Sequence, residues 1–324
     1  MGKRRIRNLL KLGYTDIIGF DPHKDRRDET TKKYLIPTVS NINDGLEKNP
    51  TVMIISTPPD LHATYANLAL EKNINFFTEV NLSSKEIKNI VKKLNNKSIV
   101  GVPSCTMLFH PVMKKLKNLM RQKSIGKILT VYHHFGQYLP DWHPWEDYRN
   151  FYVSKRETGA AREVVPFELV WLTSLFSDVK SVYGSIDKVS KLNADIDDLY
   201  QIILEFKNGV RCVLIIDVVS RPPFSETKII GEKGVILCDY NKGVIRLSKG
   251  KEWKTLKLKM GIRAKGYKGN TSAESLYEEE MNIFLDTVKG RKKYPHPFHN
   301  ELKILQTLDA IEISNKKGKK IIIK

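Results

Sequence analysis

Residues 51–82, TVMIISTPPDLHATYANLALEKNINFFTEVNL, constrain the fold more than any other stretch of the chain. Val52–Ile55 is an unbroken apolar run, the pattern of a strand buried on both faces of a parallel sheet. Ser56-Thr57-Pro58-Pro59 ends it. Two prolines cannot continue a central strand, so the chain turns out at the carboxyl end of the sheet, where open α/β folds bind their ligands. Leu61, Tyr65 and Leu68 recur at helical spacing, and Ile74–Phe77 is a second short apolar strand. The unit is strand, helix, strand, and it closes on Thr78-Glu79-Val80-Asn81.

The residues ahead of it read as the opening of a dinucleotide-binding unit. Ile6, Leu9 and Leu10 have helical spacing, with Gly13 at the C′ position, and Asp16–Phe20 is a short strand ending in Asp21-Pro22. In such units the third glycine of G-x-G-x-x-G opens the helix, and an acidic residue about 20 positions on takes the ribose hydroxyl. Gly2 and Asp21 fit those roles, whereas the first strand and the first two glycines do not appear. The domain therefore reads as starting inside its own fingerprint, through a late-assigned start or a truncated gene, with reduced stability and cofactor affinity expected. Asp21 is otherwise a turn residue before proline. An acidic group there favours NAD, and His23, Lys24, Arg26 and Arg27 nearby keep NADP as the alternative.

The run Thr57-Pro58-Pro59-Asp60-Leu61-His62, a helix, then a strand closing on Glu79 resembles the Gfo/Idh/MocA family of nicotinamide-dependent sugar oxidoreductases. The resemblance implies a Rossmann-type doubly wound parallel sheet, here without its first strand, over residues 1–105. An α+β domain with a large, mostly antiparallel sheet, used for substrate binding and oligomerisation, follows over 106–324. It also implies that Ser56, Thr57, Pro58, His62 and Glu79 lie beside the cofactor. His62 is alternatively a solvent-facing helix-start residue. The family's closing motif is Glu-Lys-Pro, but this chain has Glu79-Val80-Asn81. The helix expected over Gly159–Ser177, with Val165, Leu169, Leu172 and Phe176 as its apolar face, carries a His-x-x-Asp pair in the family. That register puts Phe167 and Val170 at those positions, and neither moves a proton. Glu79, Glu163, Glu168, His143 and Tyr148 remain as catalytic candidates, because a carboxylate in an apolar site acts as a base once its pKa rises. Glu163 and Glu168 also read as ordinary helix carboxylates.

Further on, Phe109-His110-Pro111 and a helix to Met120 resemble the family's crossover into the second domain, and Leu129–Phe135 begins a new sheet. Residues 136–149, GQYLPDWHPWEDYR, are dense in aromatic, acidic and basic groups: a plug over the domain junction, or a wall on which sugar rings stack. Strands are expected over Val182–Ile186, Leu199–Phe206, Val210–Asp217, Glu226–Gly231, Gly234–Asp239 and Val244–Leu247. Asn208-Gly209 and Lys242-Gly243 mark tight turns between them. The expected antiparallel sheet packs one face on helices, and in the family the other often pairs subunits. After a basic, glycine-bearing loop over Gly261–Asn270 come helices over Ser275–Val288 and Asn300–Ile313. Tyr294, His296 and His299 lack ligand spacing, so no metal site is expected.

The 55 Lys and Arg against 36 Asp and Glu give a net charge of +19, which points to an anionic partner or to lysines on solvated faces. The lysines are dispersed and no basic-aromatic motif appears, so nucleic acid is not the expected partner. Three distant cysteines without a C-x-x-C pair fit a reducing compartment. With no membrane-length apolar run or signal peptide, a cytoplasmic location is expected. The expected function is NAD(P)-dependent oxidation or reduction of a sugar or nucleotide-sugar hydroxyl or ketone by a homo-oligomer with atypical acid/base residues. The alternative is an inactive relative that binds or scaffolds.

Overall fold

The computed structural model describes residues 1–262 and 273–323, so most of the basic loop expected at Gly261–Asn270 lies outside the described residues. Helix α1 (Gly2–Lys11) ends at Leu12, with Gly13 at φ +87° as the left-handed residue its exit requires. Its buried face departs from the sequence expectation. Arg4, Arg5 and Asn8 are buried, while Ile6, Leu9 and Leu10 are only half-buried. The reason is acidic partners on the element it packs against: Arg4 meets Glu274 at 3.0 Å and Arg5 meets Glu280 at 2.8 Å.

Strands β1 (Gly19–Phe20) and β2 (Thr38–Val39) pair in parallel, joined by helix α2 (Lys24–Tyr34), and helix α3 (Ile42–Leu46) follows. Strands β3 (Val52–Ile55), β4 (Asn75–Thr78) and β5 (Gly101–Pro103) form a second parallel sheet in that order. No described strand joins β1 to β3, and Val52, Met53 and Ile54 are half-buried. Helix α4 (His62–Glu71) buries Ala63, Ala66, Ala69 and Leu70, not the Leu61, Tyr65 and Leu68 face, and Leu61 is 41% exposed. Small residues let the helix axis approach the sheet closely. Helix α5 (Ser84–Leu94) starts where the Ser83 hydroxyl accepts from the Glu86 amide.

Helix α6 (Pro111–Arg121) leads into β6 (Ile128–Gly136), and helix α7 (Ala160–Phe176) precedes a run of strands. These are β7 (Val179–Asp187), β8 (Leu199–Phe206), β9 (Arg211–Asp217), β10 (Phe224–Gly231), β11 (Gly234–Asp239), β12 (Val244–Ser248) and β13 (Trp253–Lys257). With β14 (Ile321–Ile322) they form one sheet in the order β13-β12-β11-β10-β6-β9-β8-β7-β14. It is antiparallel except where β6, inserted between β10 and β9, runs parallel to β9. The expected large, mostly antiparallel sheet is therefore present. Helix α7 buries Val165, Leu169, Leu172 and Phe176 as expected, and Phe176 packs on Phe206 at 5.6 Å.

Helices α8 (Glu274–Val288) and α9 (Phe298–Lys317) return to the first half of the chain. Phe284 of α8 and Phe298 of α9 pack at a tilt on Phe77 and Phe76 of β4, each with ring centroids 5.6 Å apart. Burying one such ring stabilises by about 1.5–3 kcal/mol. Helix α9 also lies on β7 so closely that a Cβ at Gly184 would come within 2.9 Å of the Ile311 carbonyl oxygen. Among the described residues no helix is long and apolar enough to cross a membrane.

Candidate active site

Strand β4 delivers Glu79 to the carboxyl end of the three-stranded parallel sheet. There Arg5 grips it, Nε donating to Oε1 at 2.8 Å and Nη2 to Oε2 at 2.9 Å, while the Ser56 hydroxyl donates to Oε1 at 3.1 Å. Arg5 is 2% exposed and its Nη2 also reaches Glu280, which further accepts from Ser104, Thr106 and the Cys105 amide. Burial disfavours a charged Glu79, but the Arg5 guanidinium more than offsets this, and its carboxyl sits below the usual range. The pairing with Arg5 favours the ionised form of Glu79. Arg5 did not stand out in the sequence, since a lone arginine in a basic helix carries no sign of a partner 74 residues away.

The Ser56–Pro59 turn is held from below. His62 is 1% exposed, its Nε2 2.9 Å from the Thr57 carbonyl and its Nδ1 3.3 Å from Asn81 Oδ1, with burial lowering its pKa. It does not face solvent, and it holds the Thr57 carbonyl of the turn. Asn81 in turn bonds Glu301, which pairs with His296 at 2.8 Å. The Thr57 hydroxyl is sealed from solvent without a hydrogen-bond partner. At the end of β1, Asp21 Oδ1 accepts from the His23 amide at 2.9 Å, and Arg27 Nη1 donates to the Asp21 and Pro22 carbonyls at 2.8 Å. The first turn of α1 abuts this turn, with an added Cβ at Gly2 3.9 Å from Ser56 Cβ. These residues fit a dinucleotide: an acidic group at the end of β1, an unsatisfied buried hydroxyl at the end of β3, and a helix N-terminus beside them.

The loop after β6 and helix α7 carry the remaining candidates. His143 stacks between Trp145 (5.0 Å) and Phe151 (5.2 Å), and burial lowers its pKa against the pull of Glu146. Tyr152 donates to Glu163 Oε1 at 3.1 Å, while Glu163 Oε2 is sealed and unpaired. Burial, countered by the Tyr152 bond and reinforced by the Glu79 charge, pushes the Glu163 carboxyl up to about 7. Glu79 and Glu163 therefore share one electrostatic environment, and His143 joins it through the Met1 ammonium, whose charge acts on all three. Two other candidates lie elsewhere. Glu168 is 1% exposed, turned into the core between His133, 2.9 Å away, and the Trp171 indole, which donates to it. Tyr148 points to Asn193, whose amide donates to its hydroxyl at 3.2 Å.

Val80, Phe167 and Val170, set apart in the sequence as departures from the resemblance, do meet in space. With Met107 and Pro166 they line a cleft whose volume open to a water molecule is about 0 Å³. Ser104, Cys105 and Glu301 complete its lining, and it is a filled, mostly apolar plug.

A sequence model of the GFO/IDH/MocA C-terminal domain matches residues 113–237. Among solved structures, the chain is similar to an oxidoreductase from Agrobacterium radiobacter in complex with NAD+, L-tartaric acid and magnesium. There the TM-score is 0.86 at 12% identity, over 99% of this chain and 95% of that one. It is similar to a levoglucosan dehydrogenase in complex with NADH and levoglucosan, with TM-score 0.84 at 17% identity over 100% and 96%. It is also similar to the WlbA dehydrogenase from Bordetella pertussis in complex with NADH and UDP-GlcNAcA, with TM-score 0.82 at 17% identity over 100% and 94%. No curated protein sequence matches the chain. The chain shares the overall fold of these structures. Within it, residues 113–237 are the part similar to the GFO/IDH/MocA C-terminal domain.

Proposed function

We propose that the protein is an NAD(P)-dependent oxidoreductase acting on a hydroxyl or ketone of a sugar or nucleotide sugar. The observation that carries this reading is a set of buried polar atoms lacking hydrogen-bond partners, Arg5 Nη1, Thr57 Oγ1 and Glu163 Oε2, in the neighbourhood of the Glu79 carboxylate. Buried polar groups in folded proteins are nearly always satisfied, so such a set awaits a polar ligand. Asp21 and the Ser56–Pro58 turn would hold the cofactor, which supplies the hydride acceptor or donor when bound. The stacked rings of Trp145, His143 and Phe151 suit the apolar face of a sugar ring, and the similar dehydrogenases bound to levoglucosan and UDP-GlcNAcA agree with that class of substrate. Asp21 favours NAD, and Arg27 beside it keeps NADP within reach.

Homo-oligomerisation belongs to the same proposal. On the open face of the large sheet, Tyr183, Ile203, Val213 and Tyr132 stand side by side across β7, β8, β9 and β6. Tyr183, Ile203 and Tyr132 are 42%, 51% and 45% exposed, an apolar row suited to a second copy. Screening hexoses, hexuronic acids and UDP-hexoses for NADH formation or consumption at 340 nm tests the activity. Turnover of one class supports the reading, and no turnover despite cofactor binding overturns it.

A further inference from the structure

We propose that Glu163, oriented by Tyr152, is the group that exchanges the proton of the substrate's hydroxyl, one helical turn along α7 from the plugged cleft. This rests on the oxidoreductase reading.

Glu163, Phe167 and Val170 stand at i, i+4 and i+7, on one stripe of α7. At 1.5 Å rise per residue, Glu163 lies roughly 6 Å nearer the helix start than Phe167. Around Phe167 and Val170 there is no space for a water molecule, and the one carboxylate lining that cleft, Glu301, is engaged by His296 at 2.8 Å and by Asn81 at 3.2 Å. Glu79 is held ionised by Arg5, and Glu168 is enclosed between His133 and Trp171. Glu163 has an oxygen sealed from solvent and unmatched by any donor, and a substrate O–H is such a donor.

Tyr152 is built into place. Gly159 passes so near the preceding turn that a Cβ there would lie 2.3 Å from the Val153 carbonyl oxygen. The Thr158 hydroxyl donates to the Tyr152 carbonyl at 2.8 Å, fixing that turn against the start of α7. Burial holds the Tyr152 phenol well above its ordinary pKa, so it remains an O–H donor, occupies Oε1 and leaves Oε2 for the substrate. Tyr152 is a positioning residue, and Glu163 is the residue that touches the reacting atoms.

In the oxidative direction the hydroxyl proton passes to Glu163 Oε2 and the O–H electron pair becomes the second bond of the C=O. The carbon's hydrogen leaves with its electron pair to the nicotinamide, the oxidant. Reduction reverses each transfer. A carboxyl poised at about 7 exchanges protons in either direction near neutral pH.

The test compares the full chain with Glu163→Gln, Glu163→Asp and Tyr152→Phe. Three readouts are taken: NADH binding by calorimetry, titration of the Glu163 carboxyl by 13C NMR, and the pH profile of kcat on whichever sugar class the screen identifies. Glu163→Gln should keep NADH binding and lose kcat by about 10²–10⁴-fold, with Glu163→Asp recovering part of it. Tyr152→Phe should move both the carboxyl titration and the acid limb of the profile to higher pH, because its hydrogen bond favours the ionised form. Unchanged kcat in Glu163→Gln, or an unmoved titration in Tyr152→Phe, overturns the assignment while the oxidoreductase reading stands. Absence of hydride transfer in the unaltered protein despite NADH binding overturns both.

Discussion

Arg5 and Glu79 face each other in a two-pronged pair, at 2.8 and 2.9 Å, and the same guanidinium extends 2.8 Å to Glu280 on α8. One arginine thus ties α1, β4 and α8 together. Its removal leaves two carboxylates facing each other without their cation, Glu280 fully buried and Glu79 largely so.

Arg5→Ala is expected to cost about 3–5 kcal/mol of unfolding free energy. Arg5→Lys should recover only part, since an ammonium cannot reproduce the planar fork. Urea unfolding checks this, and an unchanged midpoint for Arg5→Ala would contradict it. Because the folded Glu79 carboxyl lies below its ordinary value, its contribution is complete above that value and is lost as pH falls through the folded one.

Glu163 has the opposite sign. Its folded pKa of about 7 lies above the ordinary 4.5, so the stability linked to it is complete below pH 4.5 and declines as pH rises through 7. Glu163→Gln should therefore stabilise the protein at pH 8, by at most about 3 kcal/mol, and do little at pH 5. Thermal unfolding at the two pH values reads this directly. Equal effects at both would refute the raised carboxyl.

Gly159→Ala forces a methyl against the Val153 carbonyl and must displace the turn carrying Tyr152. A loss of about 1–3 kcal/mol is expected, together with an upward shift of the Glu163 titration as the Tyr152 bond lengthens. A titration identical to that of the unaltered chain would show that the close approach does not position Tyr152.

Ile203→Lys places a charge in the exposed row Tyr183–Ile203–Val213–Tyr132. Stability should change by no more than about 0.5 kcal/mol, while sedimentation velocity should show the oligomer giving way to monomer. The same sedimentation for both chains would remove this face as the interface.

Much of this was legible in the sequence where one apolar pattern settles an element. Val52–Ile55, Leu199–Phe206 and Gly234–Asp239 are strands with the expected bounds. Patterns with no apolar face failed. Helix α2, KDRRDETTKKY, is polar all round and buries only Thr30, and β13, WKTLK, is largely exposed, so neither left a periodic trace. In α1 and α4 the helices were found but not their buried faces, because paired arginines and small alanines bury as well as leucine when a partner or a close approach asks for them. Within the site, Glu79, Glu163 and His143 were visible as residue types, and Glu79 and Glu163 lie near enough for the charge of the first to raise the second. Arg5 and Tyr152 were missed, because each acts through a carboxylate that folding alone brings near.

The most direct test of the central claim is a calorimetric titration of NADH, then NADPH, into the full chain, repeated with Thr57→Val. The account predicts saturable binding of at least one dinucleotide, weakened when the buried Thr57 hydroxyl is removed. No heat of binding with either dinucleotide would contradict it.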